Sequence, residues 1–255
     1  MGVKEKRMKN ARPIFMLAII LFSVLGILTF ANATYVSLID LNDTTIEDVE
    51  IGNSGTNAEN LEYWFSQNGI TNPDGSAINP NDDQLQDELF YTSDGGDLDV
   101  EFLGIGSAGY KSPFGVFTYS GNPREDYDDS LMTYFDPLFV QNVNSPNTSY
   151  SFSVDAGTYF GFYLNSNNSG TKLSTYNASN SDGVDHALIF KSNQGYTVAF
   201  EDIVGGGDRD YEDLVVNLKG GGSAAVPEPA TIFLLGSGLL GMAGFRKRFF
   251  GKKKI

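Results

Sequence analysis

Between residues 34 and 219, apolar and polar positions alternate in short runs, with the period of a strand that buries one face. Residues 35–41 set Tyr35, Ser37 and Ile39 on one side and Val36, Leu38 and Asp40 on the other. Runs at 99–105, 114–119, 149–154, 186–191, 196–203 and 213–218 also read as strands. In 159–164 (YFGFYL) apolar side chains point both ways, which predicts a central strand covered on both faces. Asp155-Ala156-Gly157-Thr158 predicts a hairpin joining the two strands on either side. Residues 60–69 read as one short helix ended by Gly69, with Trp64 as a core anchor, and the Asn/Asp/Pro-rich stretch 71–88 as a long loop. Turn residues return about every 8–12 positions, so the expected fold is all-β: a single jelly-roll-like β-sandwich over residues 34–219.

Both ends break this pattern. Lys4, Lys6, Arg7, Lys9 and Arg12 precede the apolar stretch 14–30, and Ala31-Asn32-Ala33 puts small residues at the positions signal peptidase requires. Residues 1–33 therefore read as a signal peptide, with Thr34 near the mature start. At the other end a flexible linker, 220–226, leads into Pro227-Glu228-Pro229, an apolar run 230–245 and a tail with Arg246, Lys247, Arg248, Lys252, Lys253 and Lys254. The run is slightly short of the roughly 20 residues of an untilted span, and its four glycines are common in membrane helices. Its basic tail would stay in the cytoplasm, which leaves residues 34–225 on the far side of the membrane.

Pro-Glu-Pro, a short glycine-bearing transmembrane helix and a Lys/Arg tail, in that order over 226–250, resemble the PEP-CTERM sorting signal of envelope-bearing bacteria that make exopolysaccharide. The resemblance implies an exosortase as partner, a membrane cysteine protease that recognises Pro227, Glu228 and Pro229, removes the tail and releases or transfers the protein. It also implies a place in the cell envelope, on the surface or in the extracellular matrix, with exopolysaccharide as a further partner.

Charge sharpens this picture. Five of the 17 Lys+Arg lie in the leader and six in the tail, while all but two of the 32 Asp+Glu lie between them, so the exported part carries about −24. Such a polyanion repels nucleic acid and anionic lipid and attracts divalent cations or a basic surface. With no cysteine, disulfides, thiolate metal sites and cysteine catalysis are excluded, and stability must come from burial, hydrogen bonds or bound ions.

The densest polar cluster runs from Glu201 to Asp213 (EDIVGGGDRDYED). Three glycines soften a turn between two strands, and Asp202, Asp208, Asp210 and Asp213 offer the oxygen ligands of a hard cation such as Ca²⁺. It is not an EF-hand: the twelve-residue spacing and the closing bidentate glutamate are missing. The alternative is that these acids simply serve a β-turn, with Arg209 pairing to one of them. Together with 156–164 and Asp185-His186-Ala187, the stretch resembles an uncharacterised bacterial domain family found in PEP-CTERM and large secreted or adhesin-like proteins. That resemblance covers 150–219 and implies a β-sandwich and extracellular placement, but no activity.

Other acidic patches, 125–129 and 94–97, read as a solvated loop and a turn. His186 is the single histidine, expected in a structural role at a strand start, and neither G-x-S-x-G nor H-E-x-x-H occurs. The expectation is a non-catalytic surface or matrix protein, calcium-stabilised. The alternatives are a calcium-dependent glycan-binding or adhesin-like module with aromatics on an open face, and a glycosidase with two carboxylates about 5–10 Å apart in a cleft.

Overall fold

The computed structural model describes residues 36–39, 41, 49, 61–86, 88–104, 106, 109–125, 127–166 and 169–219. The signal peptide 1–33 with Ala31 and Ala33, the linker 220–226 and the sorting segment 227–255 with its helix 230–245 lie outside them. Among the described residues no helix is long and apolar enough to cross a membrane.

Two antiparallel sheets carry the chain. The first has the order β1–β3–β9–β5–β6: β1 is Val36–Ile39, β3 Leu89–Thr92, β5 Pro113–Tyr119, β6 Met132–Tyr134 and β9 Thr158–Asn165. Two short strands, β7 (Phe139–Val140) and β10 (Lys172–Ser174), add to β5 and β9 respectively. The second sheet has the order β2–β11–β12–β13–β4–β8: β2 is Gln84–Leu85, β4 Gly96–Gly104, β8 Thr148–Val154, β11 Ala187–Ser192, β12 Gly195–Phe200 and β13 Leu214–Lys219. Successive strands repeatedly change sheet, as from β2 to β3, β3 to β4, β4 to β5 and β8 to β9.

One apolar core draws on both sheets. Phe90, Phe114, Phe160 and Phe162 come from the first, and Val100, Phe102, Val198, Phe200 and Val216 from the second, all fully or almost fully buried. Rings meet across the gap, Phe90 against Tyr196 at 5.5 Å and Phe114 against Phe200 at 5.9 Å, and stack within the first sheet, Phe114 on Phe162 at 5.4 Å. Each such side chain contributes about 1.5–3 kcal/mol on burial. Period-2 alternation explains β8, where Tyr150 and Phe152 lean on this core while Ser149, Ser151 and Ser153 face solvent.

Each sheet is also covered on its outer side. Helix α1 (Leu61–Gln67) lays Leu61 and Phe65 against Leu188, Phe190, Ala199 and Val215 of the second sheet. It ends as its glycine predicts: Gly69 takes φ +63°, and the Ile70 amide donates back to the Phe65 carbonyl at 2.8 Å. Trp64 is half-buried on Gly104, where a Cβ would lie 2.4 Å from the indole ring. Over the first sheet Tyr119, Tyr163 and Tyr176 pack with Leu89 and Phe117 in a second aromatic layer.

Three expectations change. Residues 155–158 do not close a hairpin, because β8 pairs with β4 in one sheet and β9 with β3 and β5 in the other. Turn residues fix that the chain reverses, not which sheet it enters. The strand expected over 196–203 ends at Phe200, where Glu201 starts a loop, and the loop over 71–88 includes β2. β9 is central as its two-sided apolarity required.

Phe162→Ala removes a fully buried ring stacked on Phe114 and edge-to-face with Phe90, and is expected to cost about 3–5 kcal/mol in a urea or guanidinium unfolding titration.

Candidate functional site

Residues 201–213 connect β12 to β13 across the end of the second sheet, and the chain holds this loop from several sides. The Glu201 amide donates to the His186 carbonyl at 3.0 Å, and the Asp202 amide to Asp213 Oδ2 at 2.9 Å. Ser166 Oγ, just past β9, donates to the Asp202 carbonyl at 2.8 Å, and Gln141 Nε2, just past β7, to the Asp213 carbonyl at 2.6 Å. The first sheet therefore grips both ends of a loop that belongs to the second. From the segment before β11, Asp182 Oδ2 accepts from the Gly205 amide at 2.8 Å and faces His186 Nε2 at 2.9 Å, while Tyr211 donates its hydroxyl to the Asp185 carbonyl at 3.0 Å.

The backbone between these anchors is tightly wound. Gly205, Gly206, Gly207, Arg209 and Tyr211 all have positive φ, which for a bulky residue such as Tyr211 is a costly conformation. Full burial of its ring and its hydroxyl bond hold it there. At Gly207 a Cβ would sit 2.2 Å from Glu201 Oε1, so the third glycine makes room for a carboxylate.

That winding brings Glu201, Asp210 and Asp213 together, each offering a carboxylate oxygen, with all three oxygens within 4.8 Å of one another. Two of the four aspartates expected as ligands, Asp210 and Asp213, are in this group. Asp208 is exposed outside it, and Asp202, 1% exposed, is not a member either. Glu201 escaped the sequence reading because it was placed inside a continuous strand. The signal for it was an acid at a strand end just before the three glycines.

The electrostatics are those of carboxylates short of a counter-charge. Burial pushes Glu201 strongly upward, helped by the negative charges of Asp213 and Asp208. Burial likewise raises Asp202, and it raises Asp213 together with the charge of Asp202. Asp210 is pushed up to about 7, first by burial and then by Asp208 and Glu212. Glu201 Oε2 and both carboxylate oxygens of Asp202 are buried without a hydrogen-bond partner. A buried, unpartnered carboxylate oxygen is expensive, and there are two remedies: take up a proton, or take up a cation. An all-oxygen set on an irregular loop suits a hard, flexible-geometry cation such as Ca²⁺, with main-chain carbonyls and water completing six to eight ligands.

Residues 154–221, from the end of β8 through β13 and including this loop, match a family described as a domain of unknown function (DUF4114). No curated protein and no solved structure matches the chain.

An acid whose folded pKa is raised binds more protons in the native state than in the unfolded one between the two values, so it loses stability as pH rises through that window. For Asp210 the window runs from 3.8 to about 7. In EDTA the protein is expected to melt at a higher temperature at pH 5 than at pH 8 by differential scanning calorimetry, with Asp210→Asn narrowing the gap.

Residues 225–248 match the PEP-CTERM protein-sorting motif, which marks the chain as an exported protein that an exosortase sorts to the cell envelope or surface.

Proposed function

We propose that this chain is a non-catalytic surface or exopolysaccharide-matrix protein, a jelly-roll-like β-sandwich that calcium stabilises through Glu201, Asp210 and Asp213. The observation that carries the reading is the convergence of these three carboxylates, Glu201 buried and Asp210 and Asp213 half-buried, with Glu201 Oε2 left unpartnered. Calcium replaces the protons that the group otherwise needs, and outside the cell the ion is plentiful. Asp213 immediately precedes β13 and Glu201 follows β12, so an ion between them ties neighbouring strands at the end where Gln141 and Ser166 bring in the other sheet. In a protein without disulfides that is a direct route to stability.

A glycan-binding module needs flat aromatic rings on an open face. Phe135 is the one exposed large aromatic among the described residues, while the described tyrosines are buried or half-buried, most of them packed on other rings or on the core, which favours the structural role. A surface cavity beside α1 has Glu62 as the one acid among its lining residues, against the pair that glycoside hydrolysis uses.

Extracellular calcium sites bind at about 10⁻⁴ to 10⁻³ M, and at ten times the dissociation constant one site adds about 1.4 kcal/mol. The melting temperature is expected to rise by several degrees from EDTA to millimolar CaCl₂. Glu201→Gln and Asp210→Ala should abolish the rise, and Asp208→Ala should leave most of it. Equal melting in both buffers would return the acids to the role of turn formers.

Processing is tested separately by mass spectrometry of the surface pool. The mature protein should end near residues 225–230, and recovery of an intact carboxy-terminal Lys252–Lys253–Lys254 from that pool would contradict removal of the tail.

A further inference from the structure

We infer that β8 is a self-pairing edge through which two copies of this chain join, antiparallel, into one continuous sheet. β8 lies at the end of the second sheet, and its neighbour there is β4. The other strands with a single neighbour among the described residues are short: β1 has four residues, β6 and β10 three each, and β2 and β7 two each. β8 has seven, in unbroken register with β4 from Thr148 to Val154.

Proteins blunt long edges with charge, proline, a bulge or a covering segment, because an open row of backbone donors and acceptors templates another strand. β8 (TSYSFSV) carries no charged residue and no proline, in an exported domain with thirty acids. The acids sit one strand back. Asp97 and Asp99 on β4 accept from Ser153 Oγ and Ser151 Oγ, the latter at 2.6 Å, and Glu101 pairs with Lys219 at 2.8 Å. The chain thus keeps its charge off the edge itself.

The sequence of β8 says which strand fits. Read in either direction about Ser151, the order is serine, aromatic, serine, aromatic, serine. An antiparallel partner centred there sets Ser149 opposite Ser153 of the second copy and Ser151 opposite its own counterpart on the solvent face. On the core-facing side Tyr150 meets Phe152 of the second copy, twice, the aromatic cross-strand pairing that stabilises sheets. The contact is isologous and closes as a two-fold dimer. Aspartates on the two β4 strands would be three strand spacings apart, about 14 Å, beyond the roughly 8 Å screening length at physiological salt. Repulsion is thus tolerable in salt and stronger without it.

Light scattering of the mature protein at 0.15 M salt should give a dimer mass that falls toward monomer at low salt. Ser151→Lys places like charges opposite each other at the two-fold while each can pair with Asp99 in its own chain, so folding is preserved. Its dimer dissociation constant should rise at least tenfold. Because the chain has no cysteine, Ser151→Cys in the full-length protein on intact native cells should cross-link to its counterpart under copper-phenanthroline. Ser149→Cys lies about 14 Å from its own counterpart in this register and should not. A monomeric mass, a dimer unaffected by Ser151→Lys, or cross-linking at 149 equal to that at 151 would each overturn the proposal, the last two assigning the contact to another surface or register.

Discussion

The interlocking of phenylalanine rings between the two sheets is the contact on which everything else rests. Phe90, Phe114, Phe160 and Phe162 on one side and Phe102 and Phe200 on the other make a single aromatic interior with no disulfide to assist it. Ordering a backbone of this length costs roughly 1–2 kcal/mol per residue, and burial has to offset almost all of it. Aromatic side chains suit the task, since each buries a large area for the loss of only two torsions. Because both layers depend on the same interior, a loop at the end of the sheets is held by both, as the bonds from Gln141 and Ser166 to the acidic loop illustrate.

The long strands were legible because their alternation or two-sided apolarity is strong: 159–164 announced a central strand, and β11, β12 and β13 were found to within a few residues. Short strands such as β6, β7 and β10, of two or three residues, have too few positions for any period to register. The misread hairpin after β8 has a different cause. Local turn chemistry at Asp155 to Thr158 is the same whether the chain pairs with itself or crosses to the other layer, so that choice is made by tertiary packing.

The acidic loop was legible as a place and only partly as a geometry. Asp and Gly in alternation gave the turn and the hard-ligand chemistry. Which oxygens converge depends on five positive-φ residues, two of them Arg209 and Tyr211, whose conformation no propensity would assign. Glu201 joins the group because β12 stops at Phe200, a boundary that a continuous apolar run conceals.

The position of β13 bears on how the protein comes to exist outside the cell. It lies between β12 and β4 in the middle of the second sheet, yet it is the last strand among the described residues and ends only eight residues before Pro227. A chain that crosses a membrane amino-terminus first delivers this strand last. Until then β4 and β12 have no common neighbour, and the second sheet cannot assemble as translocation proceeds. Such long-range pairing is slow by nature. The second sheet can therefore close only after the chain has been delivered to within a few residues of the sorting motif.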